Sequence, residues 1–140
     1  MGMIFRFEEL RVWQKARILC RRIYQLTLTD LFAKDFKLKQ QINGSAGSIM
    51  DNIAEGFGRN GNNEFVQYIN IANGSAMETK SQLYRAFDRK YLTEENFHEL
   101  QASCDEISKM LFSLMKYLRK SNLKGQKSKL SEEKLTNSEL

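Results

Sequence analysis

The chain has no proline among its 140 residues. A β-rich or loop-rich domain of this length normally sets several turns with proline, so its absence points to long helices joined by short irregular segments. Histidine occurs once, at His98, and cysteine twice, at Cys20 and Cys104. One histidine and two distant thiols without C-x-x-C spacing exclude a Cys/His metal cluster. Both cysteines fall inside helical apolar patterns and are expected to be buried thiols of a reducing compartment. No run approaches the roughly 20 apolar residues that a membrane-spanning helix needs, and the N-terminus lacks the basic and apolar stretches of a secretory leader. A cytoplasmic protein with no membrane contact is expected. Met1-Gly2 begins like a myristoylation signal, but Arg6 stands where serine or threonine is required.

What is present is enough for one core: 41% of the residues are hydrophobic. The balance of 22 basic against 17 acidic residues leaves a net charge of +5, which permits nucleic-acid binding without requiring it. Apolar residues recur at helical spacing in four segments. The first, about residues 8 to 28, aligns Val12, Trp13, Ala16, Leu19, Cys20, Ile23 and Leu26. The second, about 35 to 56, aligns Leu38, Ile42, Ser45, Ile49 and Ile53, with Ala46 and Phe57 at its flank. Its glycines at 44 and 47 weaken helix propensity, and the small residues around them are expected to admit a close neighbour.

The third segment, about 63 to 89, carries Phe65, Tyr68, Ile69, Ala72, Ala76, Thr79, Leu83 and Ala86. Thr93 followed by Glu94 and Glu95 reads as the start of the fourth, which runs to about Lys120 through Phe97, Leu100, Cys104, Ile107, Leu111, Leu114 and Leu118. Short links force neighbouring helices to run in opposite directions. The expected fold is all-α, an antiparallel up-down-up-down four-helix bundle over residues 1 to 120, with a disordered polar, lysine-rich tail over residues 121 to 140.

Three motifs invite a chemical reading and fail it. Gly56-Phe57-Gly58-Arg59-Asn60-Gly61 spells a dinucleotide fingerprint, but it ends one helix and leads into another, without the strand that such a motif follows. Its glycines are expected to supply the left-handed backbone of a helix end. Glu95-Asn96-Phe97-His98 matches half of a di-iron site, and the single histidine excludes the other half. Ser48 lies on one helix with Asp51 and Glu55, with no histidine to act as its base. The chain therefore reads as a non-enzyme with no cofactor, no metal and no small-molecule substrate.

Two surface features point to partners. Arg11, Lys15, Arg17, Arg21 and Arg22 lie opposite the apolar stripe of the first segment, a candidate phosphate-binding face that Lys34, Lys37, Arg59 and the lysine-rich tail could extend. Aromatic residues do not read as interleaved with these charges, which disfavours single-strand binding. Val66, Met77 and Tyr84, with Phe112 on the fourth segment, form a second apolar set away from the core, as expected of a subunit interface. Glu55 and Arg59 are expected to pair across the turn between the second and third helices.

Asn52-Ile53-Ala54-Glu55-Gly56 with Gly58-Arg59, Glu64-Phe65, Gly74-Ser75, Trp13-Gln14-Lys15-Ala16, Tyr91-Leu92-Thr93-Glu94-Glu95 and Glu106-Ile107-Ser108-Lys109-Met110-Leu111 resemble the bacterial 23S ribosomal RNA intervening-sequence proteins over about residues 7 to 120. The resemblance implies a four-helix bundle assembled as a ring-like homopentamer, without known catalytic activity. At the level of fold it is also similar to the accessory proteins of diversity-generating retroelements, which bind nucleic acid and a reverse transcriptase. Many family members carry two adjacent arginines where this chain has Asn43 and Gly44, and a proline where it has Met50. Two candidate phosphate contacts are thereby removed. The expected function is that of an oligomeric protein binding structured RNA or DNA, with a protein-interaction scaffold as the alternative.

Overall fold

A computed structural model describes residues 4–123. Four helices carry the fold: α1 (Arg11–Leu26), α2 (Phe36–Phe57), α3 (Asn62–Asp88) and α4 (Glu94–Leu123). Short 3-10 turns at Phe7–Glu9 and Phe32–Lys34 precede α1 and α2. Helix α4 continues three residues beyond the expected end, and Ser121 is buried. The rest of the expected tail, residues 124–140, lies outside the described residues.

Contacts between helices fix the directions. Along α2 and α3, Gln41 meets Arg85, Ser45 meets Thr79 and Gln82, and Ser48 meets Ser75. One number rises as the other falls, so the pair is antiparallel. The same holds for α3 and α4 through Lys80 with Asp105 and Asn73 with Ser108. It also holds for α1 and α4 through Arg22 with Glu99 and Lys15 with Glu106.

The apolar stripes meet in one interior. Val12, Ala16, Leu19 and Ile23 of α1 join Leu38, Ile42, Ile49 and Ile53 of α2, with the expected α4 residues all buried. Trp13, Cys20 and Leu26 are only half-buried, as is Tyr68. Cys20 therefore departs from the expectation of two buried thiols, because it sits at the α1–α2 seam, 4.0 Å from a β-carbon placed on Gly47. Burial, with a smaller push from Asp51, raises the Cys20 thiol, and burial pushes Cys104 up to about 12.

Helix ends follow their side chains. Thr93 Oγ1 accepts from the Asn96 amide at 3.0 Å, as its sequence predicted. Asp35 caps α2 by accepting from the Leu38 amide at 3.3 Å. Its other oxygen accepts from Arg89 and from the Tyr91 hydroxyl, both at 2.8 Å, tying the start of α2 to the α3–α4 turn.

The glycines meet the expectation only in part. Gly44 is exposed, and a β-carbon there would meet nothing within 4 Å, so it admits no neighbour within the chain. Gly56 is the site of close approach: an added β-carbon would lie 2.6 Å from Tyr68 Cβ and 2.9 Å from the Phe65 ring. Gly56 is helical and Gly58 caps α2 with φ −77°, so neither takes the left-handed backbone expected of them. Among the described glycines only Gly61, the N-cap of α3 at φ 136°, needs glycine's freedom.

These contacts predict opposite signs for one substitution type. Gly56→Ala should lower the melting temperature by driving α2 from α3. Gly44→Ala should raise stability by about 0.5–1 kcal/mol through helix propensity alone. Thermal denaturation of both variants checks this, and a neutral Gly56→Ala would contradict the close contact.

Candidate nucleic-acid interface and its surroundings

Helix α1 presents its cations on two sides. At about 100° per residue, Arg11, Lys15 and Arg22 share one side of the helix, while Arg17 and Arg21 lie on another. The first side turns to α4, where Lys15 Nζ is 3.1 Å from Glu106 and Arg22 Nη2 is 3.2 Å from Glu99. Arg22 also donates to Asn96 Oδ1 at 2.8 Å. Of the expected five-residue phosphate face, Lys15 and Arg22 thus already meet carboxylates that α4 brings against them. Among the described residues, Arg11, Arg17 and Arg21 are exposed and have no salt bridge.

Aromatic side chains do stand among the unpaired charges. The Arg17 guanidinium lies 5.9 Å from the centre of the Trp13 ring, and Tyr24, 53% exposed, follows two turns later. Trp13 reads as core in sequence because it borders the apolar stripe. In the fold it lies at the rim, edge-on to Phe7 with ring centres 5.1 Å apart.

Arg59 is engaged elsewhere. It donates to Glu55 Oε2 and to the Tyr68 hydroxyl, both at 2.7 Å, and lies over the Tyr68 ring at 5.1 Å. The expected pairing is present and gains a third member from α3, which sequence spacing did not reveal. Arg59 reads from this geometry as a brace of the α2–α3 turn. Asn52 belongs to the same helix but another network: its Nδ2 donates to the Ser48 carbonyl and hydroxyl at 2.8 and 2.9 Å. Ser75 donates to Ser48 Oγ at 2.9 Å, and Ser45 Oγ lies 2.8 Å from Thr79 Oγ1 and 2.6 Å from Gln82 Oε1. These polar groups satisfy one another along the α2–α3 seam, and Ser48 is a member of it.

Of the second apolar set, Val66 is half-buried and packs against the core. Met77 and Phe112 line a shared groove of about 530 Å³ with Asp105, Ser108, Lys109, Ser113 and Lys116. Tyr84, half-exposed, sets its ring edge-on to Phe97 at 5.0 Å. Among the described residues no group of three or more His, Cys, Asp or Glu side chains could hold a metal, and no helix is long and apolar enough to cross a membrane. His98 is exposed, 3.6 Å from Glu94.

Hydrogen bonds from Arg59, then from Tyr68, hold the Glu55 carboxyl below its ordinary value of 4.5. A depressed folded-state value means that the stabilisation is complete above the unfolded value and is lost as pH falls through the folded one. Glu55→Ala should therefore melt below the parent at pH 7. The gap should close as the pH drops below the ordinary value of 4.5. Melting curves across acid pH check it, and a gap that persists unchanged at the lowest pH would contradict an electrostatic brace.

A family model described as the 23S rRNA-intervening sequence protein matches residues 8–113. A crystal structure of a protein of unknown function from the S23 ribosomal protein family of Bacteroides thetaiotaomicron is similar, with a TM-score of 0.69 and 30% identity. The similarity covers 75% of this chain and 98% of that one. No curated protein matches. Four helices with this order, and a family match spanning most of the bundle, place the chain in the 23S rRNA-intervening sequence protein family.

Proposed function

We propose that the protein is a non-catalytic, self-associating bundle that binds structured RNA or DNA through the unpaired cations of α1. The observation that carries this reading is the contrast within one helix: Lys15 and Arg22 are matched by carboxylates, whereas Arg11, Arg17 and Arg21 face outward without one. Unmatched guanidinium groups on a rigid helix suit phosphate, which they can grip with two parallel hydrogen bonds. The net charge of +5 favours approach to a polyanion. The family's description, which refers to 23S rRNA, is consistent with an RNA ligand.

Self-association is supported by the Met77–Phe112 groove, where Phe112 remains 55% exposed between polar neighbours. Large side chains held outward at helical spacing lose this exposure in a subunit contact. The homopentameric ring implied by the family resemblance is the arrangement proposed.

Two measurements test the reading. In gel-shift titrations with a structured RNA, three phosphate contacts predict that affinity falls about 40-fold as salt rises from about 50 to about 200 mM. No retardation at the lower salt would refute nucleic-acid binding. Light scattering should give a mass several times the 16.4 kDa of one chain, reduced by Phe112→Glu. A single-chain mass for the unmodified protein would refute self-association.

A further inference from the structure

We infer that the stripe formed by Trp13, Arg17, Arg21 and Tyr24 is a track for an unpaired RNA strand, with bases stacking on the two aromatic rings and phosphates meeting the two arginines. The inference rests on the nucleic-acid reading and names the form of ligand that the site takes. On a helix advancing about 100° per residue, these four side chains fall within an arc of about 80°. From Trp13 to Tyr24 the helix rises about 16 Å, the length of about five stacked nucleotides at about 3.4 Å each. Two arginines thus lie between two aromatic rings along a line of the right length for a short strand.

The chemistry favours an unpaired strand over a duplex. Base faces are hidden inside a duplex, so a ring such as Tyr24 contributes stacking only where bases are unstacked. Protein side chains reach RNA bases chiefly at such loops and ends, because the A-form major groove is too deep and narrow to read. Helix α1 is also poorly placed to enter the wider groove of B-form DNA. It is about 10–12 Å across, the width of that groove, and it is flanked by α2 at the Cys20–Gly47 contact and by α4 at its two ion pairs.

An opposing charge lies near the Cys20 edge of α1. Asp51 of α2 acts on Cys20 electrostatically, and Cys20 lies on the same side of α1 as Trp13 and Tyr24. A wide polyanion lying across α1 and α2 would meet this carboxylate, whereas a single strand running along α1 keeps its phosphates at Arg17 and Arg21. The half-buried Trp13 is also the only tryptophan in the chain, so its emission reports this site alone.

The test uses the full chain with an unstructured 12-nucleotide RNA (roughly twice the length of the track, by the spacing above), its DNA counterpart and the matching RNA duplex. Fluorescence anisotropy and Trp13 emission are followed together. The expected result is preferential binding of the single-stranded RNA with quenching of Trp13. Tyr24→Ala should weaken it about fivefold or more. Arg17→Gln combined with Arg21→Gln should reduce the logarithmic salt slope by about 1.4. Lys15→Gln combined with Arg22→Gln should leave both readouts unchanged, since those cations are already paired. Equal or tighter binding of duplex or DNA, or a Tyr24→Ala variant that binds as well as the parent, would overturn the track while leaving the broader nucleic-acid reading in place. Failure to bind any of the three would overturn both.

Discussion

At Gly56 the backbone of α2 lies so near α3 that a single added carbon would come within 2.6 Å of Tyr68 Cβ. No other described glycine is held so tightly, and this contact sets how the two middle helices sit. Once they are this close, the hydroxyls of Ser45, Ser48, Ser75 and Thr79 fall within hydrogen-bonding distance along the seam. A buried hydroxyl without a partner is costly. The close approach and the polar seam therefore depend on each other. Glu55, Arg59 and Tyr68 close the same junction from its solvent side.

The outer helices attach by different means. Helix α1 buries four apolar residues in the common interior, yet its side-chain links to α4 are exposed ion pairs, which contribute little to stability in water. Their larger effect is on charge: they match Lys15 and Arg22 and leave Arg11, Arg17 and Arg21 available. The surface proposed to meet nucleic acid is thus defined as much by the carboxylates of α4 as by the arginines of α1.

Most of the architecture was legible because an amphipathic period of 3.6 survives translation from sequence to fold with few intermediate steps. The stripes of α3 and α4, the Thr93 cap and the Glu55–Arg59 pair could each be placed from local spacing. What failed depended on which helix lay beside which. Spacing within α1 could not reveal Glu99 and Glu106, 77 residues from Arg22 and 91 from Lys15. Gly44 and Gly56 look alike in sequence, and only the position of α3 separates an idle glycine from an indispensable one. Trp13 and Val66 are both half-buried against the core, because each lies at the edge of a stripe, where small rotations of the helix decide between core, rim and surface.

If the α2–α3 junction organises the bundle, its backbone should be the last to open. Native-state hydrogen exchange, followed amide by amide, tests this directly. The account predicts that amides of α2 and α3 flanking Gly56 and the Ser45–Thr79 contact exchange only through global unfolding, while those of α1 exchange through smaller openings. Greater protection in α1 than in the middle pair would contradict it.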